Sequence, residues 1–295
     1  MTTPTGAIVV GVDGSEASAA AVRWAAAGAV RHHERLHIVH GFAPFAGLYG
    51  AGMPVLHSVY DDFVTSAKDL LADAVRTAHD TVGETLEVTT AMPQDPPSAV
   101  LIEASRSARM VVLGASGSGR VTGVLAGSTA VQVVSHAHCP VVIVRGRRGA
   151  VNGPVVVGVD GSPLSDRALG AAFDEACRRS VPLVAVHAWS DEDLTGPFGV
   201  FSLAVDWEEV RQDNERLLAE RLAARQAEYP GVKVERVVVR DRPRHQLIDW
   251  SRQAQLVVVG SRGRGGFTGL LLGSTSQALI HHADCPVMVV RPDGG

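Results

Sequence analysis

Short, mostly apolar runs recur along the chain at residues 7–12, 36–39, 110–113 and 141–144, with a weaker one at 86–90. They do not alternate apolar with polar, which is the pattern of strands covered on both faces in a parallel sheet. Longer stretches of helical character separate them. Residues 18–30 are rich in Ala, and Tyr60, Phe63, Val64, Ala67, Leu70, Leu71, Ala74, Val75 and Ala78 recur at helical spacing. Residues 98–107 and 128–136 predict two shorter helices. The order then repeats, with apolar runs at 155–159, 183–187, 234–239, 256–259 and 287–290. Such strand–helix alternation predicts right-handed βαβ units and a doubly wound α/β domain of five strands in each half.

The repetition extends to residue identity. Gly11-Val12-Asp13-Gly14-Ser15 returns as Gly158-Val159-Asp160-Gly161-Ser162, an offset of 160 − 13 = 147. Gly114-Ala115-Ser116-Gly117 returns as Gly260-Ser261-Arg262-Gly263, and Cys139-Pro140-Val141 as Cys285-Pro286-Val287, each at an offset of 146. Several matches in one order indicate duplication of a whole domain. The polar, Gly-rich stretch 146–154 is the seam, dividing the chain into domains at 1–147 and 154–295.

In an open parallel sheet, ligands sit beyond the carboxyl ends of the strands where strand order reverses. The first strand of each half ends on a carboxylate, Asp13 or Asp160, and the fourth opens into a glycine-dense loop. Glycines let several backbone N–H groups face one point, and a helix N-terminus beside them favours an anion. Here Ser128 and Ser274 stand at the start of that helix, as N-cap or first-turn residues. A carboxylate across the crevice suits ribose hydroxyls, so a nucleotide is the natural ligand. Other nucleotide and nucleophile signatures fail: there is no G-x-x-x-x-G-K-[ST], no G-x-G-x-x-G after the first strand and no G-x-S-x-G.

Each half resembles a universal stress protein domain, and the whole chain resembles the tandem members of that family. The carrying motif is G-x2-G-x9-G-[ST], at Gly114, Gly117, Gly127, Ser128 and again at Gly260, Gly263, Gly273, Ser274. The resemblance implies two flavodoxin-like (Rossmann-like) domains, each a five-stranded parallel sheet of order 3-2-1-4-5 with helices on both faces. It implies one ATP per domain, with or without Mg2+, in the crevice between strands one and four. Mapped here, the first site takes in Gly11, Asp13, Gly41, Gly114, Gly117, Ser118, Gly119, Arg120, Gly127, Ser128 and Thr129. The second takes in Gly158, Asp160, Ala188, Gly260, Gly263, Arg264, Gly265, Gly266, Gly273, Ser274 and Thr275. Gly41 and Ala188 stand at the adenine end and are smaller than the apolar residue sometimes found there. The resemblance further implies pairing of the two halves through their last strands, a homodimer, and a nucleotide-dependent stress or signalling regulator acting on an unidentified protein partner. Slow ATP hydrolysis or self-phosphorylation is the alternative, with no residue assigned to catalysis.

Composition sets bounds on this reading. Across 295 residues, 46% hydrophobic and 20% charged, 27 basic against 31 acidic side chains leave a net charge of −4. That balance argues against nucleic acid as partner, and the charge-free stretches are broken by Gly, Pro or polar residues, which argues against a membrane span. With no signal-like start and three cysteines, the chain reads as soluble and cytoplasmic. His136-x-His138-Cys139 becomes His282-Ala-Asp284-Cys285, so a metal set is not preserved and the cysteines read as buried hydrophobes. His40 and His187 read as crevice-lining or hydrogen-bonded groups rather than bases. The apolar stretches 41–58 and 189–205 either close over the nucleotide or pack between domains, the latter being favoured. Arg262 and Arg264 stand where the first half has Ser116 and Ser118; arginine beside a triphosphate predicts a tighter second site.

Overall fold

A computed structural model describes residues 3–42, 57–115, 126–145, 152–189, 207–264 and 271–292. The chain falls into two compact units that part between Val144 and Arg145. In the first, β1 (Ile8–Gly11), α1 (Glu16–His32), β2 (Leu36–Val39), α2 (His57–Val82), β3 (Val88–Ala91), α3 (Pro97–Ala104), β4 (Met110–Gly114), α4 (Ser128–His136) and β5 (Val141–Val144) follow in turn. In the second come β6 (Val155–Gly158), α5 (Pro163–Arg179), β7 (Leu183–Trp189), α6 (Trp207–Glu228), β8 (Val234–Arg240), α7 (Pro243–Ser251), β9 (Leu256–Gly260), α8 (Ser274–His282) and β10 (Val287–Val290). Strand order is β3-β2-β1-β4-β5 in one unit and β8-β7-β6-β9-β10 in the other, with parallel neighbours throughout. Each is the expected flavodoxin-like 3-2-1-4-5 sheet. Helix α1 packs on α2, α3 on α4, α5 on α6 and α7 on α8, so each sheet has a helix pair on either face.

The central strands are the core. Ile8, Val9, Val10, Val141, Val142 and Ile143 are fully buried, as are Val155, Val156 and Val157, and burying one such side chain contributes about 1.5–3 kcal/mol. Edge strands differ: β3 is half-exposed and carries Thr89 and Thr90, and β8 carries Glu235, Arg236 and Arg240. Polar edges discourage pairing with other chains, and they explain why the third apolar run is faint; the strand itself spans Val88–Ala91. Helix α1 starts at Glu16, two residues earlier than its apolar pattern, because the Ser15 hydroxyl accepts from the Ser18 N–H as an N-cap. Ser162 caps α5 in the same way. Both helices end on a left-handed residue, His33 or Ser180 (φ 55°).

Candidate functional site

The two strand-end carboxylates are built into turns. Oδ1 of Asp13 accepts from the backbone N–H of Ser15 at 3.0 Å and from its hydroxyl at 2.6 Å. Oδ1 of Asp160 accepts from the Ser162 N–H at 2.9 Å. The intervening Gly14 and Gly161 have φ of 80° and 76°, the left-handed region in which a side chain is strained. So Asp, Gly and Ser together turn the chain from strand into capped helix and leave the carboxylate at the crevice mouth. In the second unit, Oδ2 of Asp160 also accepts the Arg264 N–H at 2.9 Å. Burial pushes this carboxyl up, but the hydrogen bonds from Ser162, Ser165 and Arg264 outweigh it and hold the group below the ordinary aspartate value.

Across the crevice, the helix starts behave differently from those of α1 and α5. Gly127 and Gly273 are the N-caps of α4 and α8, and neither helix has a side-chain cap. Their own N–H groups are spent closing the loop, onto Ala115 O at 2.9 Å and Ser261 O at 2.7 Å. The i→i−4 ladder begins at Val131 and Gln277. The amides of Ser128, Thr129 and Ala130, and of Ser274, Thr275 and Ser276, therefore precede it at the positive helix ends. Gly273 is not demanded by the backbone: its φ is −76°, and a Cβ there would meet nothing closer than Arg262 Cα at 3.4 Å. Cations gather around this mouth: burial chiefly, and then Arg262, holds Arg291 below its usual pKa.

Other predicted glycines answer to packing. A Cβ on Gly114 would stand 2.6 Å from the backbone carbon of Ala17 in α1, and one on Gly41 would stand 2.5 Å from Pro97 Cα at the start of α3. Gly11 faces Leu113 and Leu101, Gly158 faces Leu247, and Gly260 faces Leu164 at 3.0 Å. Gly263 is pressed on Asp160, whose Oδ2 would be 2.6 Å from a Cβ. Ser128 and Ser274 are exposed, Thr129 and Thr275 half-buried, and Ala188 is half-buried at the end of β7. Gly117, Ser118, Gly119, Arg120, Gly265 and Gly266 lie outside the described residues.

On the other flank, His40 bonds the Val12 carbonyl through Nδ1 at 2.8 Å, and His187 bonds the Val159 carbonyl at 2.7 Å. The second of these also reaches Asn214 Oδ1 at 2.7 Å. Both histidines thus tie the second strand to the residue before the carboxylate. Beyond them stand aromatic pairs that sequence reading did not assign. Phe42 meets Tyr60 at 6.5 Å between ring centroids, and Trp189 stacks on Trp207 at 6.1 Å, with the Arg240 guanidinium 3.8 Å over the latter. The repeat offset would have found them, since 189 − 42 and 207 − 60 are both 147. Among the described residues no group of three or more His, Cys, Asp or Glu could hold a metal ion, and no helix is long and apolar enough to cross a membrane. Cys139 and Cys285 are buried thiols, each pushed up to about 12 by burial.

Residues 5–145 and again 152–291 match the model of the universal stress protein family. Over 290 residues the chain is 45% identical to a universal stress protein of Mycolicibacterium smegmatis, covering 97% of each. Over 291 residues it is 43% identical to one from Mycobacterium tuberculosis, covering 96% of each. A solved universal stress protein from Archaeoglobus fulgidus shares the fold, with a TM-score of 0.72 at 19% identity over 98% of this chain and 99% of that one.

Proposed function

Starting from a chain that belongs to the universal stress protein family through both of its halves, we propose that each unit binds one ATP and that the protein works as a nucleotide-dependent regulator. The observation that carries this reading is the pair of helix starts capped by glycine. Serine, threonine, aspartate or asparagine at an N-cap stabilises a helix by about 1 kcal/mol over alanine and by a few tenths over glycine; α1 and α5 have such a side-chain cap, and α4 and α8 carry glycine instead. What is gained is a set of outward amides at a positive helix end, suited to phosphate oxygens. Asp13 and Asp160 stand across the mouth as acceptors for ribose hydroxyls, and the arginines around α8 add charge-assisted donors. Mg2+ would arrive with the phosphates: among the described residues no group of three or more His, Cys, Asp or Glu stands ready to hold a metal ion by itself.

Regulation requires only that the nucleotide favour one of two states of the protein. The test is direct. The purified chain is denatured and its supernatant examined by mass spectrometry, and the stripped protein is titrated with ATP in a calorimeter. Two equivalents per chain are expected, falling to one in Asp13→Ala and one in Asp160→Ala. Absence of any adenine nucleotide uptake at millimolar ATP overturns the reading. Release of labelled phosphate at a steady rate by the same preparation would favour the slow-hydrolase alternative.

A further inference from the structure

His187, on the flank of the second crevice, faces two oxygens at once. Its Nδ1 stands 2.7 Å from the Val159 carbonyl, and its Nε2 stands 2.7 Å from Asn214 Oδ1. A neutral imidazole carries one N–H and can serve one of these acceptors; only the imidazolium donates from both nitrogens. The Asn214 amide cannot simply turn over and offer its own N–H to the ring. Its nitrogen donates to the Val210 carbonyl at 2.8 Å, and reversal would give up that bond and set oxygen against oxygen. The ring itself is buried, at 4% exposure, where an acceptor facing an acceptor is costly.

What surrounds the ring leaves it room to be charged. Val238 lies beside it on β8. The charged residues on either side of Asn214 in α6, Arg211, Asp213, Glu215 and Arg216, are exposed and pair with one another and with Glu208. From β6, the Asp160 carboxylate belongs to the residue directly after Val159. That residue is gripped at both ends: the Val159 N–H donates to the Val186 carbonyl at 2.9 Å, and the Val159 carbonyl accepts from His187. The peptide that carries Asp160 is thereby fixed to β7, and through Asn214 to α6.

We propose that His187 is a buried imidazolium and the positioning residue of the second nucleotide site, fastening Asp160 to α6 through its two N–H groups. The positioning role rests on the nucleotide reading above; the charge of the ring does not. If the Nε2 proton leaves, Asn214 either keeps its bond to Val210 and faces a lone pair or turns and loses it, so the proton and the anchorage on α6 go together.

Two measurements on the full-length chain decide it. Nitrogen NMR, with the ring of His187 assigned through its own backbone, reads the protons directly. Both ring nitrogens are expected to be protonated at pH 7 in the natural chain and in Asn214→Asp, and Nε2 to be bare in Asn214→Leu. A bare Nε2 in the natural chain overturns the proposal without any variant. Calorimetric ATP titration supplies the second arm, in an Asp13→Ala background that leaves only the second crevice. Asn214→Leu is expected to weaken binding about tenfold, the low end for one charge-assisted hydrogen bond, and Asn214→Asp to restore it. Unchanged affinity in Asn214→Leu, with the Nε2 proton gone, overturns the positioning role and spares the nucleotide reading. Two ring protons with no ATP uptake in any variant overturn the nucleotide reading and the positioning role with it, and support the imidazolium alone.

Discussion

Gly114 and Gly260 hold the same place in the two repeats but answer to different neighbours. The first faces the rigid backbone of Ala17 at 2.6 Å; the second faces Leu164 Cγ at 3.0 Å and the Arg262 carbonyl oxygen at 3.1 Å, a looser fit. Gly114→Ala is therefore expected to destabilise its unit by about 1–3 kcal/mol through overpacking, and Gly260→Ala by clearly less, as read from urea midpoints. Equal losses would show that the backbone of α1 shifts freely. The three cysteines divide by the same kind of detail. Cys139 and Cys285 are buried with thiols at about 12, while Cys177 is exposed on α5. Native protein treated with iodoacetamide at pH 8 is expected to take one label, at Cys177, and denatured protein three, counted by mass. Cys139 and Cys285 were readable from the sequence as small buried hydrophobes. The role of Gly114 was not, because a glycine pressed on a helix and one facing a ligand are written with the same letter.

Among the elements, β2 carries an unusual resident. His37 is buried between β1 and β3, with Nδ1 bonded to Thr89 Oγ1 at 2.8 Å and Nε2 buried without a hydrogen-bond partner. Burial lowers its pKa. The unfolded chain then takes up a proton at a higher pH than the folded one, so stability rises with pH in the interval between the two values. The contribution of His37 is complete above the ordinary histidine value of about 6.5 and is lost as the pH falls towards the lowered folded value. Urea melts of the natural chain and of His37→Leu are expected to diverge in their pH trend below about 6.5; parallel trends would refute the assignment. Strand order and helix positions were legible from apolar periodicity, since buried strands and amphipathic helices print their own spacing. Element ends were less so. Helix α1 begins where a serine caps it, and β7 runs on to Trp189, past the apolar run, because β8 pairs with it to that point.

For the molecule as a whole, duplication made the site legible and also hid part of it. Comparing the halves located both carboxylates, both glycine loops and both cap positions, since these recur at fixed offsets. It could not show that the corner at Arg264 closes on Asp160, a contact between residues 104 apart in the chain and fixed by how the ends of β6 and β9 approach each other. The uncapped helix ends yield one more expectation. Gly273 has ordinary dihedrals and room for a side chain, so Gly273→Ser should add a few tenths of a kcal/mol of stability while weakening ATP uptake by the second unit. Thermal melting and calorimetry read the two effects separately, and a stabilised variant with unaltered uptake would break the link. A repeat released from its ligand through descent would have nothing to keep that position vacant. Drift would favour serine or aspartate there, so an idle copy would betray itself by growing sturdier at the one place where a working copy stays bare.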